Sequence, residues 1–445
     1  MMSHDAKNED IMSILLDKRH LPFVAIIFFV FLNAFFNSMA TAYGYGHYPL
    51  NTFLFYAEDL HADLIKMSLG YFQDGKTYDI SSWVEPYHHY YKLWQEGFFQ
   101  KNHLNNSHMP PLSFTIGWIV SLLLQRTTPL IVISIYYTLV VITIILIAIH
   151  FKRKRYDIYI LSLGMLISYP VLFVLTRGNI FAFINSITIL LFIYLLLKRQ
   201  YLWLAVILLS VSINIHPNAI LIASLLFLLP IRNALKYSAI TIIVSATIFF
   251  TSLYLSHVID PGYTLNSFLS GLKNYTHLYL EGNLGVLFNN SLYGMIRTFL
   301  IAWKIHLASP WLIYLNTAIA TMGIFTLLLS IYFVHGRRLT PYEFSFVTLG
   351  IYTLTSAVFA VYHLIPYFVF LLMPFVISDT KKLSPKHFSL IILVSVFLLI
   401  PKNYIFVYFL FGHILSIETI LNPLVLSFAI GYILFSAKKV DHVES

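Results

Sequence analysis

The sequence predicts an all-α, polytopic integral membrane protein of about twelve transmembrane helices, and three observations carry that prediction. Hydrophobic residues make up 58% of the chain and charged residues only 11%, where soluble domains carry about 25% charged residues. Apolar runs near the roughly 20 residues that a bilayer demands recur from end to end. Between them stand short basic clusters, as expected of cytoplasmic connections.

In order along the chain, "MMSHDAKNEDIMSILLDKRH" is polar and mixed in charge. It lacks a short apolar core with a small-residue cleavage site, so the run from Leu21 to about Ala40 reads as a retained first span. Spans follow at about 129–151, 156–175, 180–197, 201–215, 218–231, 237–257, 309–334, 342–361, 364–379, 388–401 and 419–437. The basic clusters are Lys18 with Arg19, "KRKR" at 152–155, "KR" at 198–199, Arg232 with Lys236, "RR" at 337–338, Lys381, Lys382 and Lys386, and "KK" at 438–439. Twelve spans with both termini inside put every cluster on the cytoplasmic face. The short run 112–125 is then an outer-face or re-entrant helix, and 286–307 and 403–415 lie outside as interfacial helices. Residues 1–445 form a single membrane domain with two long outer loops, 41–128 and 258–308.

The charge distribution also excludes function classes. A net charge of +9 is accounted for by membrane orientation, not nucleic-acid binding. The chain has no cysteine, which excludes disulfides, thiolate metal sites and cysteine nucleophiles. No repeat of fixed period and no low-complexity tract is present.

The first outer loop opens with "FYAEDLHADLIKMSLGYF", which places Glu58, Asp59 and Asp63 within six residues. Leu60, Leu64, Met67 and Tyr71 recur at helical spacing, so one stripe of this segment suits the membrane interface. Asp59 and Asp63 are four apart and share a helix face, while Lys66 suits a pair with Asp63 and leaves Asp59 freer. These carboxylates are either wet surface charges or a reaction centre, and their position at headgroup level favours function. Further on, Trp83, Tyr87, Tyr90, Tyr91 and Trp94 suit an aromatic belt better than sugar stacking. His88, His89, His103 and His108 match no metal-ligand spacing, so no metal and no cofactor is expected.

Other polar residues fall on the same predicted face. Arg177 stands between two apolar spans, where a guanidinium suits a phosphate or snorkels to headgroups. "NIHPN" sets His216 and Asn218 around Pro217, and His216 can donate to a phosphate or a sugar hydroxyl. Asn289, Asn290, Ser291 and Arg297 lie near a helix start, which attracts caps and anions. His363, at another outer end, is the weakest of the set.

The order "EDLHAD", "MPPL" at 109–112, "RGN" at 177–179, "HP" at 216–217 and "NNSLYGMIR" at 289–297 resembles glycosyltransferase family 87, membrane mannosyltransferases of the GT-C fold. The resemblance covers about residues 20–300. It implies a polyprenyl-phosphate sugar donor, a glycolipid or glycan acceptor, and an aspartate base in the first outer loop. Asp59 best matches that position, and Asp63 stands where the family usually has Tyr. The family's Tyr-Pro-Pro-Leu, Arg-Gly-Gln-x-Asn, Lys-Pro and Asn-Gln-Ser-Leu patterns are each altered here, at Met109, Asn179 with Phe181, His216 and Asn290.

The expected reaction is hexose transfer with inversion, outside the plasma (inner) membrane. Asp59 takes a proton from the acceptor hydroxyl, with Asp63 and Glu58 beside it. Arg177, His216 and Arg297 meet the donor phosphate, and Asn179, Asn218, Asn289, Asn290 and Ser291 meet sugar or acceptor. One carboxylate suffices because a phosphate leaves unprotonated, unlike the carboxylate pair of a glycosidase. The alternatives are a multi-span transporter or flippase of lipid-linked saccharides, which calls for paired broken helices and charges within the spans, and a polysaccharide ligase or polymerase.

Overall fold

The computed structural model describes residues 18–42, 109–126, 129–276, 280, 289–305, 307–376, 384–402 and 417–437. The "EDLHAD" segment, with Glu58, Asp59 and Asp63, lies outside the described residues, as does 403–415.

Among the described residues the chain is helical, and its only strand-like feature is an antiparallel bridge between Asn289 and Ala360. The helices are α1 (Leu21–Ala42), α2 (Pro111–Arg126), α3 (Pro129–Phe151), α4 (Asp157–Leu166), α5 (Tyr169–Arg177), α6 (Ile180–Lys198), α7 (Leu202–Ile215), α8 (Ile231–Ile259), α9 (Leu265–Thr276), α10 (Leu292–Ala302), α11 (Ser309–His335), α12 (Pro341–Thr355), α13 (Phe368–Leu372), α14 (Pro385–Leu399) and α15 (Glu418–Phe435). Segments Pro217–Leu228, Val361–Tyr367 and Met373–Phe375 wind as 3₁₀ helices.

Among the described residues five helices are long and apolar enough to cross a membrane, or six if the bent pair α4–α5 is one span. The 55° bend in that pair falls at Ile167–Ser168, and Pro170 in the first turn of α5 supplies no amide donor to the turn before it. Of the other predicted spans, 22–40, 201–215, 218–231, 364–379 and 388–401 hold shorter apolar helices, and 342–361 holds the less apolar α12.

Lipid exposure explains the outer faces of α8 and α11. Ile242, Ile243, Phe250 and Tyr254 on α8, and Met322, Phe325 and Tyr332 on α11, present large apolar side chains outward. Contiguous apolar surface of that extent is unsuited to water and suits acyl chains. The core runs through α12, whose residues 342–354 are buried all round. Gly350 permits this density, since a Cβ there would stand 2.6 Å from Ile430 Cδ1 of α15. Small residues let membrane helices approach closely in this way.

The two ends of the bundle differ in chemistry. At one end Arg19 lies over the Phe375 ring, Arg153 Nε donates to the Phe375 carbonyl, and Lys198 Nζ donates to the Val376 carbonyl at 3.0 Å. Asp157 is buried among these cations, bonded to His20 Nε2 at 3.0 Å and accepting from the amides of Arg153 and Lys154. We call this the basic end. Helix α6 alone, at about 1.5 Å per residue, separates Lys198 from Asn179 by about 28 Å, so the "RGN" turn lies at the opposite end.

Helix α2 keeps to that opposite end. Ser256, near the last turn of α8, donates to the Pro111 carbonyl at 3.1 Å, and Tyr263 donates to that of Met109. Val120 packs with Val132 and Ile180, at the starts of α3 and α6. Helix α10, expected as interfacial, is instead partly built into the bundle, with Tyr293, Arg297 and Thr298 buried and Tyr293 packed on Ile319 of α11.

Candidate functional site

The opposite end gathers the polar residues that the sequence singles out. Arg177 ends α5, where a cation suits the negative end of the helix dipole. Gly178 follows at φ 68°, a left-handed turn that favours glycine, and Asn179 then caps α6 by accepting from the Ala182 amide at 2.9 Å. The "RGN" signal is thus a tight helix-to-helix turn with a cation at its corner.

One turn before Arg177, Phe173 stacks on Tyr362 at 5.7 Å. Ser186 of α6 donates to the Tyr362 carbonyl at 3.1 Å. Tyr362 and His363 belong to the 3₁₀ segment Val361–Tyr367, so α5 and α6 fix the backbone that presents His363. The His363 ring lies 4.7 Å from the His216 ring, and its buried Nδ1 has no hydrogen-bond partner among the described residues.

His216 occupies the break between α7 and the 3₁₀ helix that starts at Pro217. Its Nδ1 meets the Tyr352 hydroxyl at 3.2 Å. The residue is only partly buried, yet the protein around its ring strips away water and pushes His216 below its ordinary 6.5, to about 4. Behind it, Asn185 Nδ2 reaches the Tyr352 oxygen at a long 3.5 Å, and Ser212 Oγ donates to Asn185 Oδ1 at 2.6 Å. Asn218 is exposed, two residues past His216.

The trio Asn289–Asn290–Ser291 is buried and bonded to protein. Asn289 Nδ2 donates to the Ala357 carbonyl at 2.7 Å, and its Oδ1 accepts from the amides of Phe359 at 2.9 Å and Ser291 at 3.1 Å. Asn290 donates its amide to the Phe359 carbonyl and accepts from Asn422 Nδ2 at 2.6 Å. Ser291 caps α10 by accepting from the Gly294 amide. The Asn289 side chain and the Asn290 backbone amide therefore clamp segment 357–360, which leads directly into His363. Arg297, in the same helix, is also buried.

Sequence reasoning missed several participants. Asn185 and Tyr352 sit inside apolar spans, and polar Asn185–Ser186 in such a run is the signal that marks them. It also missed buried charge: Lys402 and Glu418 flank the predicted spans 388–401 and 419–437, where charge reads as solvated, yet both are buried. Glu418 Oε1 accepts from Tyr169 at 3.1 Å, and Lys402 donates to the Ile400 carbonyl within electrostatic reach of Glu418. Among the described residues no three His, Asp or Glu side chains gather to hold a metal ion.

The basic end holds a Ser–His–Glu chain. Ser436 Oγ lies 2.8 Å from His387 Nε2, His387 Nδ1 lies 2.5 Å from Glu343 Oε1, and Thr340 holds the other carboxylate oxygen through its amide and hydroxyl. The spacing matches a nucleophile triad, but Ser436 sits at the carbonyl end of α15. The helix dipole there opposes an oxyanion, where acyl transfer needs N–H donors. The chain reads as a tie joining the ends of α12, α14 and α15.

Comparison with family models, curated proteins and solved structures gives no match.

Proposed function

We propose that this protein is a membrane glycosyltransferase of GT-C type that transfers a hexose, mannose by the family resemblance, from a polyprenyl-phosphate donor to a glycolipid or glycan acceptor with inversion. Its twelve spans place both termini and the basic end in the cytoplasm, and the reaction runs at the extracytoplasmic face of the plasma membrane. The observation that carries this reading is the assembly of the "RGN" turn, His216, His363 and the Asn289 clamp at one end, away from the basic end. Such a site meets a lipid-linked donor at the level of its phosphate.

Asp59 removes the acceptor proton as that oxygen attacks the anomeric carbon, a general-base contribution of about 10²–10⁴-fold. The bond to the phosphate breaks on the opposite side of the sugar, and polyprenyl phosphate leaves with the electron pair. Arg177 and His216 stabilise its growing charge. In proteoliposomes supplied with polyprenyl-phosphate mannose and extracted lipids, Asp59→Asn abolishes transfer while Asp63→Asn retains it. Full transfer by Asp59→Asn at normal protein levels refutes the assignment of Asp59.

One observation favours a second reading, a transporter of lipid-linked saccharides: the buried Lys402 and Glu418 and the broken pair α4–α5 are features of substrate pathways. The same proteoliposomes separate the two, since a transporter moves the labelled lipid across the bilayer without releasing polyprenyl phosphate.

A further inference from the structure

The polar groups behind His216 form a chain whose direction can be worked out proton by proton. Ser212, Asn185, Tyr352 and His216 are linked in that order. An Asn amide can face either way, so two polarities are open in principle. In the first, the Ser212 hydroxyl donates to the Asn185 oxygen, the Asn185 amide donates to Tyr352, and Tyr352 donates to His216 Nδ1. In the second, every donor reverses, and the Ser212 proton has no acceptor.

Ser212 is fully buried, and Asn185 is its one side-chain hydroxyl partner among the described residues. A buried hydroxyl proton without an acceptor is expensive, so the first polarity wins. It leaves Nδ1 of His216 as an acceptor and therefore puts the ring proton on Nε2.

We infer that Ser212, Asn185 and Tyr352 are positioning residues that fix His216 as the uncharged tautomer protonated at Nε2, an N–H donor for a phosphate oxygen of the lipid-linked substrate. The identity of the ligand rests on the glycosyltransferase reading, whereas the tautomer rests on the hydrogen-bond chain alone. A neutral donor suits a phosphate that arrives charged and departs charged, because it orients the group without trapping it as an ion pair.

Histidine-specific ¹⁵N labelling of the full chain in lipid bilayers tests this, with the His216 signals assigned by their loss in His216→Gln. The wild-type protein is expected to show a bare Nδ1 and a protonated Nε2 at His216. Tyr352→Phe is expected to mix the two tautomers, a change that loss of packing alone does not produce. A wild-type His216 protonated at Nδ1, or a Tyr352→Phe spectrum with the wild-type tautomer, overturns the relay. In the binding arm, a short-chain polyprenyl phosphate shifts the wild-type Nε2 signal, and Tyr352→Phe weakens that binding about fivefold, the scale of one neutral hydrogen bond. Inorganic phosphate at the same concentration distinguishes a free anion from a lipid headgroup. If the tautomer result holds while neither probe shifts the signal, the relay stands and the assignment of its ligand is refuted.

Discussion

Replacing Asn289 by alanine separates a ligand contact from a structural clamp. The wild-type side chain makes three hydrogen bonds, to the Ala357 carbonyl and the amides of Phe359 and Ser291, at 2.7, 2.9 and 3.1 Å. All three serve backbone groups at a site where Asn289 is only 3% exposed. A typical hydrogen bond contributes about 1 kcal/mol net, and a stranded buried group costs about 1–3 kcal/mol. Allowing for partial rescue by water, Asn289→Ala should destabilise the fold by about 3–5 kcal/mol. The cavity cannot close easily, because Gly294 already packs against the Asn289 side chain; a Cβ there would stand 2.5 Å from Asn289 Cγ. Thermal unfolding of the purified protein in detergent, followed by tryptophan fluorescence, measures the loss. Gly294→Ala should move the melting temperature in the same direction through the clash. An Asn289→Ala protein that melts with the wild type but loses substrate binding refutes the clamp and restores Asn289 to ligand contact.

Other perturbations follow from the same geometry. Glu343→Gln disturbs the buried hydrogen bonds that the carboxylate makes with His387 and Thr340 and should cost about 1–3 kcal/mol; Glu343→Gln combined with His387→Phe should cost less than the two single changes summed, as a double-mutant cycle on melting will show. Gly178→Ala forces a β-carbon into the left-handed turn at φ 68° and should cost about 1 kcal/mol, read in the same melt. The fold holds His216 below its unfolded value of 6.5, so the unfolded chain takes up the proton first. The stability this contributes is fully present above about pH 6.5 and is lost as pH falls toward 4; His216→Gln should flatten that part of the pH–stability curve.

Much of the architecture was legible in the chain. Apolar runs marked helices to within a few residues, as at 129–151 and 180–197, because bilayer thickness dictates a length that the sequence must supply. The bend at Ile167–Ser168 was hidden inside one continuous apolar run, since a break that neighbours re-satisfy leaves little compositional trace. Pro217 signalled the interruption at His216, but not that the following twelve residues wind as a 3₁₀ helix.

At the site, polar residue types were legible and their partners were not. Asn289 stood out as polar in an apolar chain, yet the group it serves lies about seventy residues away at Phe359, a separation no local pattern encodes. Tyr352 looked like any buried aromatic until folding set its hydroxyl against His216. Lys402 and Glu418 sat at the ends of apolar runs, where charge reads as solvated; in the fold Glu418 is buried and accepts from the Tyr169 hydroxyl, a partner no local pattern encodes.

The claim on which the functional reading depends is that the His216 end of the bundle faces away from the cytoplasm. The chain has no cysteine, so single cysteines can be introduced at Asn218, exposed beside His216, and at Gln200, exposed at the basic end next to Lys198. In intact cells, a membrane-impermeant maleimide should label Asn218→Cys and should reach Gln200→Cys only after permeabilisation. Labelling of Gln200→Cys in intact cells, with Asn218→Cys protected until the membrane is opened, would put the site in the cytosol and contradict the account.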